Sequence, residues 1–137
     1  MSIRHSLRPA LAGIALTGLL AAGPAAAADY VIDTEGAHAS IQFRTSHLDY
    51  SWLKGRYNDF GGEFSYDADN PGASEIAVNI DTASIDSNHA ERDKHLRSAD
   101  FLDVETYPEA SFVSTDYIPN ADGTATLEGE LTLHGVT

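Results

Sequence analysis

The sequence predicts a mainly β protein whose antiparallel sheet closes into a barrel, together with one short helix. Most segments after residue 28 alternate apolar and polar side chains with period two, as strands with one buried face do. Clusters of Gly, Pro, Asn and Asp separate these segments. Because a sheet with one polar and one apolar face must bury its apolar side, a closed barrel is the simplest architecture.

The first 28 residues are expected to form a secretory signal peptide. Arg4 and Arg8 precede an apolar run from 11 to 22, and the alanines at 25–28 offer small-residue cleavage sites. The apolar run is short for a bilayer span, which disfavours a retained anchor. Cleavage near Ala28 leaves residues 29–137 as a single domain.

Composition restricts the partners of this domain. Since Arg4 and Arg8 are lost from the 8 basic side chains while the 21 acidic ones remain, the formal charge changes from −13 to −15. Such a charge disfavours nucleic-acid binding and electrostatic docking to membranes. The chain has no cysteine, so an exported fold would need no disulfide.

The N-terminal strands show the alternation clearly. Residues 30–32 begin the first strand, and within 39–47 the side chains of Ile41, Phe43 and His47 share one face. The opposite face of this second segment is polar. One face is therefore expected to be buried and the other to contact water.

The central strands are separated by glycine and by turn residues. Residues 50–57 form one strand, and Gly61-Gly62 marks a bend or a close backbone approach within a long bent strand or a hairpin. The segment 67–72 is rich in turn formers. The clearest strand follows at 75–81, with Ile76, Val78 and Ile80 expected on one face.

The C-terminal strands flank a hairpin turn. Residues 110–118 alternate less cleanly, the turn is predicted at 120–123, and alternate positions from 125 to 133 are apolar or glycine. The carboxylates of these segments fall on the polar faces. This polarity is the reverse of that of an outer-membrane barrel, whose outward face is apolar.

The stretch 88–102 is the one segment that reads as a helix. Asn88, with Glu91 three residues on, approximates the capping box that satisfies free amides at a helix start. The helix is therefore expected to begin at Asn88. Since few of its residues are apolar, Phe101 and Leu102 just beyond are expected to anchor it.

Several segments carry motifs more specific than the strand pattern. They are 28–33, 38–47, 55–62, 107–108, 131–137 and, most distinctive, the block DSNHAERDKHLRSADFL at 86–102. Together they resemble the YceI-like family of periplasmic lipid-binding proteins along the whole predicted domain.

The resemblance implies a lipocalin-like antiparallel β-barrel of about eight strands in the periplasm. It implies an apolar channel for a long-chain isoprenoid lipid, of quinone or polyprenyl type, as bound ligand, with no further cofactor. In the family a segment like 131–137 is followed by further strands. The chain is therefore expected to lack its C-terminal strands, which leaves the barrel incomplete and its edges exposed.

An isoprenoid chain needs a long dry cavity, because each methylene-sized unit exposed to water costs about 0.8 kcal/mol. The alternative is that the inward side chains simply fill the core of a small barrel. With the resemblance, the candidate lipid-binding walls are Ile41, Phe43, Trp52, Phe64, Ile76, Val78, Ile80, Leu96, Phe101, Phe112, Leu127 and Leu131.

Arg92, Asp93 and His95 on the predicted helix are candidates for a headgroup contact or a lid at the channel mouth. The alternative is a structural role for Arg92 and Asp93 in capping or ion pairing. His47, on the apolar side of its strand, is more typical of a core histidine than of a ligand.

Other functional classes have weaker support. His89 and Asp93 lie four residues apart on the helix, but no HExxH motif or cysteine spacing accompanies them, so no metal site is predicted. The sequence has no nucleophile elbow and no phosphate loop, so no enzymatic activity is expected. The competing hypothesis is a stress-response or protein-interaction module that acts through its acidic surface.

Overall fold

The fold was taken from a computed structural model, which describes residues 27–36 and 38–137. Nearly all of the predicted signal peptide lies outside these residues. The described part contains eight strands and one helix: β1 Ala28–Val31, β2 Ile41–His47, β3 Ser51–Tyr57, β4 Phe60–Tyr66, β5 Glu75–Asp81, β6 Ile85–Asp86, α1 Ala90–Arg97, β7 Glu109–Pro119 and β8 Ala125–Thr132.

The strands form two sheets, in the orders β1-β4-β5-β7-β8 and β2-β3-β6, and every pair is antiparallel. Only Asn58 and Asp59 separate β3 from β4, and a short 3-10 turn at Thr82–Ser84 separates β5 from β6. β3 pairs with β2 and β6, while β4 pairs with β1 and β5. β3–β4 and β5–β6 therefore each run through both sheets as one bent strand. The two sheets are the two halves of one bent meander, in which each of these long strands pairs with the next.

The meander does not close on itself in the described residues. There β8 pairs only with β7, while β1 pairs only with β4 and β2 only with β3. The predicted mainly antiparallel β fold with one short helix is confirmed. Its sheets form an open, incomplete barrel.

The bend of the long strands is held by backbone hydrogen bonds. The Asn58 amide donates to the Ser84 carbonyl at 3.2 Å, and the Asp81 amide donates to the Asp59 carbonyl at 3.0 Å. The bend thus lies before Gly61-Gly62, which is inside β4. The predicted close backbone approach is confirmed at Gly62, because a Cβ there would collide with the carbonyl oxygen of the facing strand.

The buried apolar side chains of the described residues, Ile80, Ile85 and Ala110, lie beside this bend. Thr82 between them is 1% exposed, but its polar groups are satisfied. Its amide donates to the Pro108 carbonyl at 2.9 Å, and its hydroxyl donates to the Tyr107 carbonyl at 2.8 Å. The core is therefore small and is concentrated where β5, β6 and β7 meet.

The helix begins two residues later than predicted, at Ala90. His89 is the N-cap residue, and its Nδ1 accepts from the Arg92 amide at 3.2 Å. Asn88 is in the left-handed region with φ 64°, a conformation that asparagine tolerates better than most residues. Asn88 therefore turns the chain and does not cap the helix. Within the described residues, no helix has the length and apolar character needed to cross a bilayer.

Candidate functional site

One face of the five-stranded sheet is lined by apolar side chains from all of its strands. Strand register pairs Tyr30 and Ile76 with Phe64 on either side of it, and Phe112 with both Val78 and Leu131. Side chains that share a register position point to the same side of a sheet. This apolar face comprises Tyr30, Phe64, Ile76, Val78, Ile80, Phe112, Leu127 and Leu131.

Glycine and aromatic stacking shape the apolar face. The ring of Phe112 occupies the space that a side chain at Gly129 would need. The rings of Tyr30 and Phe64 stack with centroids 4.9 Å apart. Much of the face is open, since Phe64 is 36% exposed and Leu131 is 52% exposed. The arrangement offers a wide apolar surface to a ligand or partner.

The three-stranded sheet has an apolar face of its own. Ile41 and Phe43 are half-buried on it, and the Phe43 ring lies over Gly55 and 5.8 Å from the ring of Tyr57. Burial raises the pKa of the Tyr57 phenol. Ile85, 3% exposed, completes this face at the bend.

Trp52 lies on the opposite face of β3 from the one predicted. It is directly opposite Ser46 in the strand register, whereas half-buried Leu53 and Tyr57 alternate with it. Trp52 is 59% exposed, and the Arg44 guanidinium lies 4.7 Å from its ring centroid. Its assignment to the apolar wall is therefore wrong, because strand alternation points this side chain outward.

Two charged residues of the helix, Arg92 and Asp93, are hydrogen-bonded to one serine. Ser87 is 3% exposed, and both its amide, at 2.9 Å, and its hydroxyl donate to the Asp93 carboxylate. Arg92 donates from Nε to the Ser87 hydroxyl at 2.7 Å and from Nη2 to the Ser87 carbonyl at 2.6 Å. The Ser87 hydroxyl is the main reason that the pKa of Asp93 lies below its usual value, with a smaller contribution from the charge of Arg97. Nε and Nη2 of Arg92 and Oδ1 of Asp93 are thus engaged within the chain.

Arg97 makes a second attachment, which the sequence did not indicate. Its Nε donates to the Ala83 carbonyl and its Nη2 to the Ile85 carbonyl, both at 2.6 Å. The planar guanidinium spans two carbonyls that a single ammonium could not span in the same way. Its position in the last helical turn was the available signal, but only the fold shows which carbonyls lie within reach.

The other predicted site residues are more peripheral. His95 lies at the surface, 3.3 Å from the Asp100 carboxylate, and its ring meets the edge of Phe101 at 4.8 Å. Phe101 is 50% exposed, so it anchors the helix less than expected, whereas Leu96 is half-buried. His47 is exposed at the end of β2, so its predicted place in the core is wrong.

The polar face of the five-stranded sheet carries a depression of about 450 Å³. Asp29, Glu63 and Glu75 contribute to its lining, which suits an apolar chain poorly. In the part of the chain that the structure describes, no cluster of three or more His, Asp or Glu residues could hold a metal ion. The feature that most resembles a ligand site is therefore the apolar face.

The two open antiparallel sheets, the one helix and the broad apolar face place this protein in the class of incomplete β-barrels. The YceI-like domain model matches residues 30–137, so the chain belongs to the YceI-like family.

The relatives agree with this assignment. A UPF0312 protein of Vibrio cholerae is 60% identical over 111 residues, which cover 81% of this chain and 59% of the relative. One of Ectopseudomonas mendocina is 54% identical, over 96% of this chain and 69% of its own length. The crystal structure of Burkholderia cenocepacia BcnA superposes with a TM-score of 0.69 at 24% identity, covering 75% of this chain and 64% of that one, and shows the shared fold. The chain thus spans about three fifths of the length of the Vibrio relative.

Proposed function

We propose that this protein binds the tail of a long isoprenoid lipid, of quinone or polyprenyl type, along the apolar face and carries it in the periplasm without catalysis. The observation that carries the proposal is the apolar face itself. A chain with a formal charge of −13 keeps Tyr30, Phe64, Leu127 and Leu131 between 36% and 52% exposed on one side of one sheet. Contiguous apolar surface of this kind marks a binding site for a partner or ligand.

Membership of the YceI-like family supports a binding role. The shape of the apolar face supports a chain-like ligand, because the side chains that it exposes come from three strands, β1, β4 and β8. A flexible polyprenyl tail has many equivalent methyl-branched units and needs such an extended contact in preference to a few strong ones. In this proposal Arg92 and Asp93 attach α1 to the segment after β6, and His95, which is exposed beside Asp100, is the candidate headgroup contact.

Native mass spectrometry of protein from a periplasmic extract, followed by uptake assays with a quinone and a polyprenol, tests the proposal. We expect bound lipid in the wild type and a loss of about tenfold or more in affinity for Leu131→Asp. Full burial of a leucine side chain contributes about 1.5–3 kcal/mol, and a carboxylate would also be desolvated.

Val113→Asp is the matched control. Val113 and Leu131 are equally exposed, at 52%, and lie on neighbouring strands but on opposite faces. Equal losses in both variants would exclude the apolar face as the site. A folded protein that repeatedly carries no lipid and takes up neither probe would contradict the binding function. If reversal of the outward acidic charges instead abolished the cellular role, the acidic-surface module would be favoured.

A further inference from the structure

The β2–β3 hairpin exposes three large side chains at and beside its turn. Leu48 is 72% exposed, Tyr50 77% and Trp52 59%. They lie away from the apolar face of the five-stranded sheet, at the end of the three-stranded sheet. We propose that this hairpin docks on the surface of a bilayer that contains anionic lipids. The inference does not depend on the isoprenoid site, because Trp52 lies on the outward face of β3.

The turn of this hairpin holds an apolar side chain at a strained backbone position. Leu48 and Asp49 have φ values of 53° and 59°, so two of the three residues that connect β2 to β3 are in the left-handed region. Asparagine and glycine are strongly preferred at such positions, whereas a leucine there is strained. The folded chain gains little from the side chain of Leu48, since it is largely in solvent. An external contact gives it a role.

Two basic side chains next to the tip are placed where they destabilise the isolated sheet. Arg44 and Lys54 are directly opposite each other in the register, and like charges in this position repel. Within residues 27–36 and 38–137, neither lies within ion-pair distance of a carboxylate. Arg56 follows on the same face, 3.5 Å from Asp86 and partly exposed. An anionic surface would relieve the repulsion between Arg44 and Lys54.

A bilayer surface matches both features at once. Tryptophan and tyrosine favour the level of the lipid headgroups, where one end of the ring is apolar and the other is hydrated. Lysine and arginine bind the phosphates of anionic lipids. A depression of about 350 Å³, lined in part by Lys54 and Arg56, lies beside them and offers room for a headgroup. The net charge of the chain disfavours docking of the molecule as a whole, so the proposed contact depends on the basic side chains of the hairpin, and repulsion of the acidic remainder directs the hairpin toward the bilayer.

The single tryptophan of the chain allows a direct test. The full chain is titrated with vesicles of phosphatidylglycerol and phosphatidylethanolamine, and separately with phosphatidylcholine vesicles, none containing isoprenoid lipid. We expect a blue shift of the Trp52 emission and co-sedimentation with the anionic vesicles only. Both signals should weaken at high salt, because exposed charges are then screened.

Variants separate docking from folding. Leu48→Gly should weaken binding while keeping or raising thermal stability, since glycine accepts the left-handed turn. Arg44→Glu and Lys54→Glu should each lower affinity for anionic vesicles by about fivefold or more. Lys94→Glu, the same charge change on an exposed helical position, is the control and should bind like the wild type. All variants carry the same N-terminal segment, so its contribution to vesicle binding is common to all.

Three outcomes would overturn the proposal. One is the absence of any Trp52 shift with anionic vesicles. Another is equal binding by Lys54→Glu and Lys94→Glu. The third is a shift on addition of polyglutamate but not of anionic vesicles, which would assign the hairpin to an acidic protein partner.

Discussion

At the scale of single residues, Asp93 links the helix to the strand before it. The residue is 7% exposed, and its carboxylate accepts hydrogen bonds from both the amide and the hydroxyl of Ser87. Hydrogen bonds to the charged form lower the pKa of a carboxylic acid, as they do here. An acid whose pKa is lower in the folded state stabilises the fold above its unfolded pKa, and this stabilisation is lost as the pH falls through the folded pKa.

Asp93→Asn should therefore lower stability at neutral pH by about 1–3 kcal/mol, the range for a buried hydrogen-bonded charge. The gap between variant and wild type should narrow as the pH falls below about 4, the usual unfolded value for aspartate. Urea unfolding at a series of pH values measures both effects. Asp116→Asn, which removes an exposed carboxylate on β7, should run parallel to the wild type. A constant gap down to strongly acidic pH would rule out this role for Asp93.

Residue assignments follow from the sequence where alternation is unbroken. Ile76, Val78 and Ile80 lie on one face as predicted. Trp52 departs from the prediction because it alternates with Gly55 and Tyr57, which share the apolar face of β3. The cap at His89 was not predictable, since Asn88 is the better capping residue and only the turn geometry excludes it.

At the scale of elements, α1 is held to the sheet mainly by polar contacts. Arg97 bonds to the backbone of the 3-10 turn and of β6, while Arg92 and Asp93 bond to Ser87. The helix exposes four of its eight residues and buries only Asp93 fully. A helix of this length is marginal alone, so these attachments determine whether it forms.

Arg97→Ala should destabilise the protein by roughly 2–3 kcal/mol, because two carbonyls lose a charged donor. Arg97→Lys should recover part of that loss, since one ammonium cannot reproduce the fork of the guanidinium. Lys94→Ala, at an exposed position of the same helix, should change stability by less than about 0.5 kcal/mol. Urea denaturation of the four proteins measures this order. Equal losses for Arg97→Ala and Lys94→Ala would show that the Arg97 contacts contribute nothing.

The strands were largely predictable because period-two patterns are local. Their bends were not, since Asn58–Asp59 and Thr82–Ser84 change direction through hydrogen bonds between segments distant in sequence. The glycines at 61–62 lie close to one bend but do not form it. Gly62 permits the close approach of β5, and this approach depends on the pairing of two strands and not on one strand alone.

At the scale of the whole molecule, the apolar face and the edge of β8 are both accessible. All residues of β8 except Thr132 are exposed, and Leu127 and Leu131 lie on the apolar face. Exposed strand edges and apolar patches favour association between copies. The sequence could indicate one sheet with two unlike faces, but which strands meet depends on long-range pairing.

We expect the lipid-free chain to associate as its concentration rises, and an added isoprenoid lipid to reduce this association by covering the apolar face. Leu127→Lys should reduce association without lipid, because it places a charge on that face. Thr126→Lys, the neighbouring position on the other face with the same charge change, should reduce it less. Light scattering over a concentration series measures all three. A wild type that stays monomeric at every concentration would contradict the expectation.

The meander order of the strands also bears on how the chain acquires its fold. If β3–β4 and β5–β6 are each taken as one bent strand, every new strand pairs with one that came earlier in the chain: β3–β4 with β2 and β1, β5–β6 with β4 and β3, β7 with β5, and β8 with β7. A polypeptide that emerges from a translocation pore N-terminus first would therefore never wait for a later segment to complete an earlier pair. Contacts between neighbouring segments also keep the loops to be closed short, which favours rapid folding. Such an order would suit the export proposed above, in which the chain folds while its remainder is still crossing a membrane.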